Sequence, residues 1–309
     1  MKTVIKISLL VLPFILFYTI GLFFLDSHLR KDNYLYGSLN KRERLENVSS
    51  PKMVFVGGSS MAFGLDSKKI EEQLDYSVVN MGLHADVGLK YMLLEIEDEM
   101  KEGDVIVLGA EYEQFLNYFY GGQPLVALSF DINKDYYKFF DFSSYSELSS
   151  SIHKYTLKKV AHSVLKSSNS GQVSEIYSLN SFNPYGDVVS HWNKSPKEYI
   201  YNFKMQPNIS NDAFLFLKKF KNRMNKKNIT LIIIPPIIQD SQFRLNEKII
   251  KKINNKLEEE SLDYSSPYSK YVFADSLFFD SPYHLNRKGI DIRMKHLIFD
   301  IKKHLNTAN

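Results

Sequence analysis

Apolar positions along this chain fall into one long uncharged run at the N-terminus and a series of short runs further on, with amphipathic stretches between them. The long run covers residues 7–25 and is rich in Leu, Ile and Phe; as a helix rising about 1.5 Å per residue it approaches the ~30 Å hydrocarbon thickness of a bilayer. Pro13 and Gly21 disfavour a soluble helix but are tolerated inside a membrane. From Pro51 onward the pattern changes. Short β-prone runs at 53–56, 77–81, 105–108, 230–234 and 271–273 alternate with helical stretches at about 66–74, 89–100, 213–228 and 287–304. Asp66 is a good N-cap, the Gly103-Asp104 turn introduces the third run, and Pro235-Pro236 end the fourth. Near-continuous apolar strands alternating with helices predict an α/β fold: a parallel sheet covered on both faces.

The expected organisation is a short tail (1–6), a transmembrane anchor (7–25), a juxtamembrane linker with some helix (26–50) and one α/β domain (51–309). Between about 115 and 207 the alternation is lost and Tyr, Phe, Ser and Asn dominate, which marks an insertion: a packing lid or a carbohydrate-facing surface. Lys2 and Lys6 also suit a cleaved signal peptide, but no clear small-residue cleavage site follows. The same lysines favour a cytoplasmic N-terminus, against which Arg30, Lys31, Lys41, Arg42 and Arg44 stand on the other side.

Charge and cysteine content narrow the chemistry. With 39 basic and 35 acidic residues interspersed, the net charge is +4, which leaves no electrostatic footprint for nucleic acid. The absence of cysteine excludes disulfides, thiolate metal sites and a cysteine nucleophile. The histidines, His153, His162 and His191 among them, show no metal-ligand spacing, so neither metal nor other cofactor is expected.

Open parallel sheets bind ligands at the carboxyl ends of their strands. There the sequence delivers Gly57-Gly58-Ser59-Ser60 after the first strand, Asn80-Met81-Gly82 after the second and Gly109-Ala110-Glu111 after the third. Asp280-Ser281-Pro282-Tyr283-His284-Leu285-Asn286, with Gly289 beyond, follows the last. A serine on a glycine turn, a distant histidine to serve as its base and an aspartate to orient that base are the parts of acyl transfer. His84 and Asp86 lie close enough to the second block to line a pocket.

These blocks resemble, in order, those of the SGNH/GDSL family of esterases and acyltransferases. Gly57-Gly58-Ser59 with the tail Phe63-Gly64-Leu65-Asp66 looks like its nucleophile block, with Ser60 the competing register. Gly82, beside Asn80, resembles the glycine that contributes to its oxyanion hole, and His284-Leu285-Asn286 with Gly289 resembles its histidine block. The resemblance implies a three-layer, flavodoxin-like fold. It further implies an acyl-Ser59 intermediate, His284 as base, and acyl or acetyl esters of an extracytoplasmic glycan or exopolysaccharide as substrate, served by a multispanning acyl-donor protein of the cell envelope. Two departures stand out: Glu111 occupies the place of an asparagine that donates to the oxyanion, and Asp280 stands four residues before His284, where three is usual and Ser281 sits. They motivate a rival expectation, a catalytically weak binding or scaffold protein of polysaccharide export.

Overall fold

The computed structural model describes residues 2–165, 174–197 and 203–308. In chain order the elements are α1 (Lys2–Phe23), α2 (Gly37–Asn47), β1 (Lys52–Gly57), α3 (Ser59–Ala62), α4 (Ser67–Glu71), β2 (Ser77–Asn80), α5 (Leu89–Glu97), β3 (Val105–Gly109), α6 (Gln123–Ala127) and α7 (Phe142–Leu165). After them come α8 (Asn211–Lys226), β4 (Thr230–Ile233), β5 (Ile238–Gln239), α9 (Asp240–Glu259), β6 (Val272–Phe273), β7 (Phe278–Ser281), β8 (His284–Leu285) and α10 (Arg287–Ala308). The central sheet is parallel throughout, ordered β2-β1-β3-β4, with Val54 opposite both Val79 and Ile106, and Ile106 opposite Leu231. This arrangement is consistent with a flavodoxin-like doubly wound fold.

Side chains alternate faces along a strand, and here both faces are covered. Val54, Val56, Ile106 and Leu108 join the core that holds α5, α8 and α9, while Met53, Phe55, Val105 and Val107 join the one that holds Ile290, Met294 and Leu297 of α10. Two-sided burial is the reason the strands read as unbroken apolar runs.

Several segments differ from the sequence reading, among them the 20-residue helix α9, which the reading assigned to no element. Residues 271–273 do not extend the central sheet: β6 pairs with β5 in a separate two-stranded ribbon, because Pro235 and Pro236 lack the N–H groups that would carry β4 onward. The inserted region contains the 24-residue helix α7. Its buried face mixes Leu148 and Tyr155 with Ser144, Thr156 and Lys159, so no apolar stripe announces it. Lys159 is fully buried and satisfied by Asp131 at 2.6 Å and the Leu22 carbonyl at 2.9 Å.

The segment 26–50 is built into the fold. Leu45 is completely buried, Tyr34 donates to the Leu83 carbonyl at 2.8 Å, and the Lys41 ammonium reaches the Asn80 carbonyl at 2.9 Å and that of Gly186. Burial pushes Lys41 down to about 7, against the opposing pull of Asp187 and Glu95. Lys41 is therefore not one of the exposed charges that membrane topology would count.

The foot of α1 packs on α7: Gly21 lies against Thr156, Phe23 meets Phe130 edge-on at 5.3 Å, and the Tyr18 hydroxyl bonds His153 Nδ1. Leu9, Leu10 and Phe14 on the same helix are each more than 60% exposed. Among the described residues no helix is long and apolar enough to cross a membrane; the side chains of residues 7 and 8, where the expected span begins, lie outside the described set.

Candidate active site

The first wall of the site grows from the carboxyl edge of the sheet. Gly57 of β1 faces Gly109 of β3, and a Cβ on Gly57 would stand 2.5 Å from the Gly109 carbonyl oxygen, so the strands close only with glycine there. Gly58 leaves room for the Glu111 carboxylate, whose Oε1 would lie 2.6 Å from a Cβ at that position. That oxygen accepts the Ser60 backbone N–H at 2.7 Å and the Ser59 hydroxyl at 3.4 Å. Glu111 is itself oriented by its own N–H, which donates to Gln114 Oε1 at 3.0 Å.

Beneath this turn lies Arg293 of α10, fully buried. Its Nη1 donates to the carbonyls of Ser60 at 2.7 Å and Gly64 at 3.3 Å, and Nη2 contacts Met61 Sδ at 3.0 Å. Burial pushes the guanidinium down to about 10, partly offset by the charges of Tyr271 and Glu111. A buried cation without a contacting carboxylate is expensive. Here it satisfies two carbonyls of the loop that carries Ser59.

The second wall is the antiparallel hairpin β7–β8, in which Ser281 pairs with His284. The turn between the strands accounts for the four-residue spacing, because it folds Asp280 back alongside His284 and brings Oδ1 within 2.9 Å of Nδ1. Tyr177, from the inserted region, donates its hydroxyl to Asp280 Oδ2 at 2.8 Å and lies 3.3 Å from His284 Nδ1. Burial pushes the Asp280 carboxyl up, but the hydrogen bond and charge of His284, helped by Tyr177, bring it below its ordinary value. The imidazole stacks on Phe63 with ring centres 4.0 Å apart and planes 8° from parallel. Asn286 and Gly289 serve the hairpin: Asn286 Nδ2 donates to the Ser276 carbonyl at 2.8 Å, and Oδ1 accepts the Gly289 N–H at 3.1 Å.

Ser59, Glu111, Phe63, Tyr177, Asp280 and His284 line one cavity of about 410 Å³. The Ser60 side chain is turned into the interior, its hydroxyl without a partner among the described residues. Asn80 and Gly82 are not in the lining. The Gly82 N–H is taken by Asn80 Oδ1 at 2.9 Å, and Asn80 Nδ2 donates to the Met61 carbonyl at 3.0 Å and to Asp187 at 2.8 Å. This pair braces the back of α3 and has no N–H free for an oxyanion. No hydrogen bond among the described residues joins Ser59 to His284; the Ser59 hydroxyl is directed at Glu111.

Among the described residues no cluster of His, Asp or Glu is arranged to hold a metal ion. His191 is buried beside Phe63 and Phe279 with Nε2 against the Leu285 carbonyl at 3.0 Å, and burial pushes it down to about 4. It supports the hairpin from behind.

Arg293 and Tyr177 are among the residues of the site that the sequence reading passed over. Arg293 had a visible signal, since it interrupts the apolar stripe Ile290, Met294, Leu297 and Ile301 of α10. Tyr177 had none, lying in a segment without periodicity. The chain matches no family model and no curated protein.

Proposed function

We propose that the chain is an SGNH-type serine esterase or O-acyltransferase that works through an acyl-Ser59 intermediate. The observation that carries this reading is that Ser59 and a histidine tethered by a carboxylate line the same cavity. With Nδ1–H donating to Asp280, the lone pair of His284 is on Nε2, the nitrogen a general base uses. Rotation about the Ser59 Cα–Cβ bond takes the hydroxyl from Glu111 toward the imidazole. Ser59 Oγ then attacks the ester carbonyl as its proton passes to Nε2. The tetrahedral oxyanion collapses, the C–O bond to the alcohol breaks, and the leaving alkoxide takes the proton from His284. Water, or a sugar hydroxyl deprotonated by His284, next attacks the acyl-serine and releases Ser59. With the Gly82 N–H engaged, the Ser59 backbone N–H is the donor left for the oxyanion.

An extracytoplasmic glycan as acceptor, a membrane-spanning α1 and a multispanning acyl donor belong to the same proposal, supported by the exposed apolar side chains of α1. The scaffold reading draws on one specific observation, the engagement of both the Ser59 hydroxyl and the Gly82 N–H away from the cavity's reacting centre. A fluorophosphonate probe separates the two. Covalent labelling of the full chain at Ser59, lost in Ser59→Ala and in His284→Ala, supports the enzyme; a folded wild-type chain that takes no label supports the scaffold.

A further inference from the structure

The second half of α7 carries apolar side chains where a helix facing water carries polar ones. His153, Thr156 and Val160 meet α1: the Tyr18 hydroxyl bonds His153 Nδ1, and a Cβ on Gly21 would stand 2.5 Å from Thr156 Cγ2 and 3.6 Å from Val160 Cγ2. Leu157 follows His153 by four residues and Val164 follows Val160 by four, so both extend the face that touches α1. Yet they are 45% and 72% exposed, and Leu165 beside them is 74% exposed. Helix α1 exposes apolar side chains too, Phe14 and Leu16 among them. The two helices are firmly joined, because buried Lys159 donates to the Leu22 carbonyl, one of the carbonyls at the end of α1 that have no partner in their own helix.

Position along α1 decides what covers this face. With residues 7–25 as the span, Tyr18 and Gly21 lie toward its far end, where hydrocarbon gives way to headgroups and tyrosine is favoured. A helix packed against those two residues lies at the same depth. From His153 to Leu165, α7 has lysines and no acidic residue; Lys159 is taken by Asp131, while Lys154 and Lys158 are exposed. We infer that this half of α7 lies in the membrane interface, with Leu157, Val164 and Leu165 among the acyl chains and Lys154 and Lys158 at anionic headgroups. The α/β domain is then held to the bilayer at a second point beside its anchor. This rests on α1 spanning the bilayer, as proposed above.

The chain has no cysteine, so single introduced cysteines report position without background. Leu157→Cys, Val164→Cys, Leu16→Cys on α1 and, as a reference, Leu215→Cys on α8, where Leu215 is 52% exposed, are placed one at a time in the full chain. Each is labelled with a nitrobenzoxadiazole fluorophore and reconstituted into vesicles of phosphatidylcholine and phosphatidylglycerol that contain lipids spin-labelled either near the headgroup or deep in the chain. The shallow spin label is expected to quench positions 157 and 164 at least about twofold more than position 215, and the deep label to quench position 16 most. Quenching at 16 with 157 and 164 no different from 215 overturns the inference and leaves the span standing. Shallow quenching at 157 and 164 without any at 16 supports the interfacial helix and removes the span. Absence of quenching at all three removes both. Cross-linking of Val164→Cys between two chains, without quenching, assigns the face to a second copy and also overturns the inference.

Discussion

The two walls of the cavity are held by different means. The Ser59 wall is an extension of the sheet: β1 and β3 close on Gly57 and Gly109, both sheet faces are buried, and Arg293 and Glu111 clamp the turn from below and from the side. The His284 wall stands outside the sheet on a short two-stranded hairpin, and side chains fix its imidazole: Asp280, Tyr177 and the ring of Phe63. Side-chain contacts join the walls, and Tyr177 also packs on Phe63 at 5.5 Å between ring centres. Phe63, one residue past α3, stacks on His284, and Tyr283 of the hairpin turn reaches Glu113 beyond β3. Ser59 thus inherits its position from a backbone that cannot move without opening the core, whereas His284 depends on a few side-chain contacts, each removable singly.

The largest expected effect tests whether the walls act as one unit. Ser59→Ala and His284→Ala should each lower ester turnover or acyl transfer by at least about 10³-fold, and the double variant should lose little more, since members of one catalytic unit are not additive. Multiplying losses in the double variant would mean that the walls work independently.

Next comes the clamp under Ser59. Arg293→Met leaves the Ser60 and Gly64 carbonyls without their donor, at about 1–3 kcal/mol each, partly offset by removing an unpaired buried charge. A net stability loss of about 2 kcal/mol in urea unfolding is expected, with slower Ser59 labelling and an unchanged His284 ring signal in NMR spectra. A shifted His284 signal would show that the walls are not separately supported.

A smaller effect concerns the Tyr283–Glu113 contact. The folded value of Glu113, about 8, is above its ordinary 4.5, so its contribution is fully present below pH 4.5 and is lost as pH rises to about 8. Glu113→Gln keeps an acceptor for Tyr283 without that liability. Relative to wild type it should gain at least about 1.4 kcal/mol between pH 4.5 and 8, roughly a tenfold change in the folding equilibrium. A pH-independent difference between the two proteins refutes a proton on Glu113.

Tyr177→Phe should have the smallest effect, about 0.5–1.5 kcal/mol of stability, because it removes one donor from Asp280 while His284 remains. The same change raises the Asp280 carboxyl toward its ordinary value. The stability contributed by Asp280 is present above the ordinary carboxylate range and lost as pH falls through its lowered value. The variant should therefore lose less stability in total on acidification, and finish losing it at a higher pH than wild type, in acid titrations of unfolding.

Much of this arrangement was legible before folding. The four strands of the central sheet are apolar through their middles, with buried Lys52 opening the first and buried Asn80 ending the second, and the blocks carrying Ser59, Glu111 and His284 are read from glycine turns and strand ends. The helix cap at Asp66 was equally plain, its carboxylate accepting the Lys69 N–H. Helix α7 was hidden because its buried face carries Ser144, Thr156 and Lys159, and the integration of α2 because Lys41 reads as a surface charge.

The sequence by itself determined what is local and periodic: the strands, the amphipathic helices and the residue types at the carboxyl edge of the sheet. Tertiary structure alone decided the partners. It directed the Gly82 N–H to Asn80, aimed Ser59 at Glu111, folded Asp280 back to His284 through a hairpin and buried Arg293 under the Ser59 turn. The physical reason is that burial pattern is written at spacings of two to four residues, whereas a buried polar group takes whichever donor or acceptor the packed core brings within 3 Å. For Ser60 and Arg293 that donor stood 233 positions away in the chain.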